Sequence, residues 1–485
     1  MKDFHTEPEI RAYTRRLDDL LIDYYVDPAR DPLLNYTSKP ELAQALNEPD
    51  PPREGIGLDQ ALQLFETDIL ANSVKTWHPG FMNQMSAGAS FPAVMGAALA
   101  AMMNGTLSTF EASPAATIIE HNVARWMAEL LGMKPGSGGI FLPGSSLGNF
   151  LALVVARNNQ LADSARHGMH HQDAVVLCSD AAHYSVANAV NLMGLGRESM
   201  VTVATNEANE ILIEDFAAKI ERCLAQGKRP FAAVATLGLT VTGGFDPIAE
   251  MAELCSRYDM HLHADAAFGG GMALTDRRDR FMQGIEAADT VTWDAHKWLH
   301  APLTCTVLLS PNPHVFKQTF NPDAPYLFHD FDEQTGVTED LGHFTPLCGK
   351  QFHALPVWLM LKAYGSDWFR HQAQTRLTFL DDLTAAIKNQ PHFELAYEPR
   401  SPVLCFRYLP RDGHADAATL NQLQVTIREK IRASGKALFN VTDIKGTTYF
   451  RLILINPLMT MAEAQPLLHT IASVGASETA ALRAN

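Results

Sequence analysis

Six short apolar runs constrain this chain more than anything else in it. They are Gly139-Ile140-Phe141-Leu142, Ala174-Val175-Val176-Leu177-Cys178-Ser179, Phe231-Ala232-Ala233-Val234-Ala235-Thr236, His261-Leu262-His263-Ala264-Asp265, and the stretches 289–293 and 303–309. Near-continuous apolar runs of this length predict strands buried on both faces. Segments of helical character lie between them. That alternation predicts an α/β fold with a mostly parallel sheet covered by helices. In such a sheet, functional residues gather at the C-terminal ends of the strands.

Two strand ends carry the chemistry. Thr292-Trp293-Asp294-Ala295-His296-Lys297-Trp298-Leu299-His300 places a lysine at the end of an apolar run. Burying an unpaired ammonium costs several kcal/mol unless it sheds its proton. A buried lysine with a lowered pKa is an amine nucleophile; one that snorkels out of a strand end is only a surface cation. The strand 261–265 ends in Asp265 and runs into Ala266-Ala267-Phe268-Gly269-Gly270-Gly271, small residues expected to let a flat group approach. A lysine and a carboxylate at neighbouring strand ends suit pyridoxal phosphate. The lysine binds the aldehyde, and the carboxylate keeps the pyridine nitrogen protonated, which makes the ring an electron sink.

Bulk properties narrow the class. With 485 residues the chain has room for two or three domains. A formal net charge of −16 argues against nucleic acid and anionic membrane surfaces as partners. The six cysteines contain no CxxC pair, so they read as reduced thiols rather than a disulfide frame or zinc site; no metal is expected. The N-terminus has no signal-peptide core, and no run approaches a membrane span. The expectation is a soluble cytoplasmic protein.

Further segments have the right residues for a site. Residues 8–26 read as a helix with Leu17, Leu20, Leu21 and Tyr24 on one face, and Leu58, Leu62, Phe65 and Ile69 mark a second amphipathic helix. His78-Pro79-Gly80-Phe81-Met82-Asn83-Gln84 reads as a polar loop. Strand 139–142 leads through Pro143-Gly144-Ser145-Ser146-Leu147-Gly148-Asn149 into a helix, so Ser145 and Ser146 stand either in a plain turn or at a helix N-terminus that favours a phosphate. His183, in Asp180-Ala181-Ala182-His183-Tyr184-Ser185, and Thr240 follow buried strands. Arg451 lies inside the apolar Tyr449-Phe450-Arg451-Leu452-Ile453-Leu454. It cannot discharge, so it needs an anion, either a substrate carboxylate or an internal Asp or Glu.

In order, these motifs resemble the group II pyridoxal-phosphate-dependent amino acid decarboxylases, the family of glutamate, aromatic amino acid, cysteine sulfinate and diaminobutyrate decarboxylases. The likeness runs from about residue 60 to 460. It implies the fold-type I transferase fold, with a seven-stranded sheet in a large domain at 89–364. A helical dimerisation segment at 1–88 and a small α+β domain at 365–485 would flank it. It also implies a homodimer with the active site at the interface. By resemblance, Lys297 binds the cofactor and Asp265 holds its ring nitrogen. His183 and Ala267 flank the ring, while Thr240, Ser145 and Ser146 contact the cofactor. His296 is placed at the phosphate or the loop, Gln84 at the far end of the substrate and Arg451 at a substrate carboxylate. After carbon dioxide leaves, His183, Lys297 or a water returns a proton.

The expected reaction is α-decarboxylation of an L-amino acid, with glutamate, aspartate or cysteine sulfinate favoured. Four features depart from the family pattern, the first being Ser145, where glycine is common. Leu147 replaces a usual glutamate, and His353 stands where aspartate is usual. No tyrosine lies between 327 and 345, where Phe331 is the nearest aromatic. The tyrosine-free stretch keeps oxidative deamination to an aldehyde open as the alternative outcome, and diaminobutyrate-like or aromatic substrates remain alternatives as well.

Overall fold

The structure, a computed structural model, describes residues 6–35, 37–161, 163–169, 173–328, 339–410 and 416–484. Its chain divides into two compact units. The larger comprises residues 89–384 and 397–405; the other comprises 1–88, 385–396 and 406–485.

The larger unit is built on seven strands: β1 (Gly138–Leu142), β2 (Ala174–Ser179), β3 (Met200–Val203), β4 (Arg229–Thr236), β5 (His261–Asp265), β6 (Thr290–Asp294) and β7 (Thr306–Ser310). Their order across the sheet is β1-β7-β6-β5-β4-β2-β3. Four of the six pairings are parallel; β7 alone runs against both its neighbours, β6 and β1. In β4 every residue after Arg229 is buried, and β5 and β6 are buried throughout. A strand covered on both faces has no polar side to show, which is why these runs lack alternation. The covering helices supply the complementary apolar faces. In Ile213–Ala225, for example, Phe216, Ile220 and Cys223 are the buried positions, spaced four and three. Full burial of each such large side chain stabilises by about 1.5–3 kcal/mol.

The other unit begins with the helix Glu7–Val26, capped by Thr6 and Glu9. The expected helix at 58–69 is an α-helix only over Leu58–Leu64; Phe65–Leu70 is a π-helical turn. The extra residue per turn rotates Ile69 off the stripe that a 3.6-residue period predicts. A second sheet has four strands in the order β10-β11-β9-β8: β8 (Phe393–Leu395), β9 (Val403–Tyr408), β10 (Asn440–Ile444) and β11 (Thr447–Ile453). The helices Ala417–Ala433 and Met461–Ala484 accompany it.

Two further details differ from the sequence expectation. The turn-rich stretch after 311 contains the helix His314–Phe320, anchored by buried Val315 and Phe316 and preceded by Pro313 at φ −63. The long helix Ala354–Lys388 is broken at Gly365, whose φ of 77 is left-handed. Among the described residues, no helix is long and apolar enough to cross a membrane.

Candidate active site

The site grows from the register of three strands in the larger unit. Thr236 of β4, Asp265 of β5 and Thr292 of β6 stand side by side. Asp265 is 4% exposed. Its Oδ1 accepts the N–H of Ala267 at 3.1 Å, and its Oδ2 accepts Asn149 Nδ2 at 2.8 Å. Among the described residues no side-chain cation forms an ion pair with it. Asn149 reaches it because Gly148 lets the helix Ser145–Gln160 press onto β6; a Cβ at Gly148 would meet Thr292 Oγ1 and Cγ2 at 3.0 Å. The glycines after Asp265 serve the protein itself. A Cβ at Gly269, Gly270 or Gly271 would strike the Leu237 carbonyl, Trp293 or Trp298 at 2.2–2.4 Å. Backbone and indole rings fill the space beside these three glycines.

Lys297 follows β6 by three residues. Its Nζ lies 3.0 Å from Oδ2 of Asp294, a carboxylate that is 1% exposed. Thr306 donates its hydroxyl to the other oxygen of Asp294. His296 lies against the same carboxylate, Nε2 at 3.5 Å from Oδ2, with Nδ1 at 2.9 Å from the Cys305 carbonyl oxygen. Burial and the Asp294 charge together push the Cys305 thiol well above its ordinary range. Lys297 is thus neither snorkelling nor unpaired, and its counter-ion was not anticipated from sequence.

His183 caps the helix Tyr184–Leu192. Its Nδ1 accepts the Ser185 N–H at 3.3 Å and lies 2.8 Å from Ser185 Oγ. Its ring packs on Tyr184 at 4.2 Å between centroids. Burial lowers the His183 pKa and the Lys297 charge adds to that, while Asp265 and Asp294 pull the other way. Those mutual effects make His183, Asp265, Lys297 and Asp294 one electrostatic cluster. Ala267, 6% exposed, follows Asp265 directly.

Ser145 and Ser146 open the helix Ser145–Gln160 behind Gly144, whose φ is 106. No side chain caps this end, so its N–H groups and dipole face outward. Thr240 lies at the tip of a tight turn closed by the Leu237–Phe245 bridge and the Gly243 N–H to Leu239 carbonyl bond. Thr236, which sequence reasoning passed over, is the threonine in register with Asp265, and its buried Oγ1 has no hydrogen-bond partner among the described residues. Phe331 lies outside the described residues.

Arg451 and Gln84 both belong to the other unit. Arg451 sits in β11, 7% exposed and paired in register with Asn440. The Met82 carbonyl accepts the Ile453 N–H at 3.0 Å, which brings the segment carrying Gln84 onto the same strand. Gln84 itself is exposed.

A buried carboxylate without a cation, a lysine at the next strand end and an uncapped helix N-terminus form the donor set that pyridoxal phosphate requires. They match its ring nitrogen, its aldehyde and its phosphate in turn. Fold and site together define a pyridoxal-phosphate enzyme. The model of the pyridoxal-dependent decarboxylase conserved domain matches residues 40–409. Acidic amino acid decarboxylase GADL1 of Bos taurus is 30% identical over 417 residues, covering 84% of this chain and 80% of that protein. Cysteine sulfinic acid decarboxylase of Rattus norvegicus is 30% identical over 417 residues, covering 84% of each. The crystal structure of mouse CSAD superposes with a TM-score of 0.91 at 27% identity, over 97% of this chain and 99% of that one. An Oryza sativa TDC solved with PLP and tryptamine shares the fold at a TM-score of 0.92 and 21% identity, over 99% of this chain and 100% of that one. The chain belongs to the pyridoxal-dependent decarboxylase family. It is a carboxy-lyase acting on an amino acid with pyridoxal phosphate as cofactor.

Proposed function

We propose that this decarboxylase acts on an acidic L-amino acid (glutamate, aspartate or cysteine sulfinate) and releases carbon dioxide and the amine. Arg451 carries the reading. A guanidinium that cannot discharge stands within an apolar strand, and its planar fork suits a carboxylate. The substrates in the names of the relatives, an acidic amino acid and cysteine sulfinic acid, support the same class.

When bound, pyridoxal phosphate supplies the electron sink for the bond that breaks. In this reading Lys297 would hold the cofactor covalently. Asp265 keeps the ring nitrogen protonated, and Ser145 and Ser146 receive the phosphate. His183 and Ala267 flank the ring, and Thr240 and His296 complete its surroundings. Arg451 and Gln84 orient the substrate so that the bond to its α-carboxyl group is the one that reacts. His183, Lys297 or a water would supply the proton that replaces carbon dioxide.

The assembly belongs to the same proposal. Residues 1–88 serve as a dimerisation segment beside a large domain at 89–364 and a small one at 365–485. Ile10, Leu17, Ile22 and Val26, all more than half exposed on the first helix, supply the apolar surface that a second copy would cover. Six free cysteines support a cytoplasmic location.

The test is a screen of cofactor-loaded enzyme against the protein amino acids, cysteine sulfinate and diaminobutyrate, following carbon dioxide, amine and peroxide together. Equal amine and carbon dioxide from an acidic substrate is the expected result. Preference for an aromatic or diaminobutyrate-like substrate overturns the substrate class. Peroxide with aldehyde overturns simple decarboxylation.

A further inference from the structure

Asn149 has no place in the roles above, yet it is hydrogen-bonded to Asp265 and, through Ser185, linked to His183. It is 1% exposed and makes hydrogen bonds to three groups on two other elements, the strand β5 and the helix Tyr184–Leu192. Its Nδ2 lies 2.8 Å from Asp265 Oδ2 and 3.0 Å from Ser185 Oγ, and its Oδ1 lies 3.0 Å from His263 Nε2.

The directions of the bonds made by Asn149 follow from one charge. An ionised carboxylate only accepts, so the amide NH2 must face Asp265. The second amide hydrogen then goes to Ser185 Oγ. That hydroxyl spends its own hydrogen on His183 Nδ1, 2.8 Å away, where the Ser185 N–H also points at 3.3 Å. With two donors on Nδ1, neutral His183 carries its proton on Nε2. On the far side Oδ1 can only accept, so His263 donates from Nε2, and its Nδ1 lies 2.9 Å from Thr290 Oγ1. Thr290 Oγ1 in turn lies 2.9 Å from His261 Nε2.

We propose that Asn149 is a positioning residue: it ties the ionised state of Asp265 to the Nε2–H tautomer of His183, so that one amide sets the proton arrangement on both sides of the cofactor site. The proposal rests on the reading of Asp265 and His183 as cofactor-facing residues. The charged groups that act on His183 are Asp265, Lys297 and Asp294, and burial outweighs the pull of the two carboxylates, which keeps the ring neutral. The proton that His183 can offer therefore sits on the nitrogen turned away from the helix it caps.

The experiment is nitrogen-15 NMR of histidine-labelled holoenzyme, with the His183 signals identified by their loss in His183→Gln. The wild type is expected to show His183 neutral and protonated at Nε2; protonation at Nδ1 overturns the proposal. Asn149→Asp turns the Ser185 hydroxyl toward the new carboxylate, so His183 is expected to move its proton to Nδ1 or become charged. In the same variant the cofactor dissociation constant should rise roughly 10- to 100-fold, the range for a lost hydrogen bond to a charged group. A variant that keeps the Nε2–H form and wild-type cofactor affinity overturns the proposal. Should Asn149→Asp fail to fold, the wild-type tautomer decides alone. The underlying site reading fails separately, if Lys297→Ala retains the visible absorbance of covalently bound cofactor.

Discussion

Breaking the ion pair between Lys297 and Asp294 should cost the cofactor-free enzyme several kcal/mol, and the loss should belong to the pair rather than to either residue. The two charges are 3.0 Å apart. At an effective dielectric of about 20, their attraction is roughly 5–6 kcal/mol before desolvation is counted. Removing one partner of a buried pair typically costs about 3–5 kcal/mol, because the other charge is left behind. The Lys297 side chain keeps 16% exposure, which moves the expectation to the lower end, about 3 kcal/mol. Asp294→Asn is the cleaner perturbation. The Asn carbonyl still accepts from Thr306, while its NH2 faces the ammonium where a carboxylate oxygen stood. Lys297→Met removes the ammonium and leaves Asp294 with Thr306 and His296. Urea unfolding of the cofactor-free wild type, both single variants and the double variant gives the cycle. The double variant is expected to lose about 3 kcal/mol less than the sum of the singles. Additivity within about 0.5 kcal/mol would refute Asp294 as the counter-ion of Lys297.

Three other outcomes follow. Lys350 and Glu120 form an ion pair with both side chains fully buried, and Glu120 also accepts the Phe141 N–H at 3.0 Å. Lys350→Met should cost about 3–5 kcal/mol. The double change with Glu120→Gln, which keeps an acceptor for Phe141, should recover most of that loss; equal loss in both proteins by denaturant titration would sink the idea. Burial depresses the histidines His261 and His263 to about 3 and about 4. Their folded pKa values lie below the unfolded value of about 6.5, so the unfolded chain takes up protons first as pH falls. Stability should hold above pH about 6.5 and fall between about 6.5 and 4, by up to roughly 2.7 kcal/mol per pH unit for two protons. A flat unfolding free energy across that window contradicts it. Arg451→Met should lower kcat/KM for an acidic substrate by roughly 30- to 1000-fold, equivalent to about 2–4 kcal/mol, while leaving cofactor absorbance intact; unchanged steady-state kinetics would remove Arg451 from the substrate site.

The sheet was legible because its strands are buried on both faces, so β2, β4, β5 and β6 stand out as unbroken apolar runs. Lys297, Asp265 and His183 stood out as candidates because each is a polar residue at or just beyond the end of such a run. Asp294, Asn149 and Thr236 did not. Each sits inside a motif that was read for its neighbours, and its role depends on a distance that sequence spacing does not encode. Asp294 meets Lys297 only because the chain turns immediately after β6. Asn149 meets Asp265 across 116 residues, through a helix that Gly148 allows to sit low on the sheet. Thr236 and Thr240 look alike at the end of one run; register with Asp265 separates them. The helix His314–Phe320 was hidden by the prolines and asparagines around it, which signal turns more strongly than seven residues signal a helix. Nor does sequence show that the space beside Gly270 and Gly271 is taken by Trp293 and Trp298.

The most direct test of the account is to fix the cofactor where it is bound. Borohydride reduction of the holoenzyme, proteolysis and mass spectrometry identify the lysine that carries pyridoxal phosphate. The account predicts the label on the peptide containing Lys297, and its absence from the buried Lys350. Label on another lysine, or none, would contradict the site from which everything else here is built.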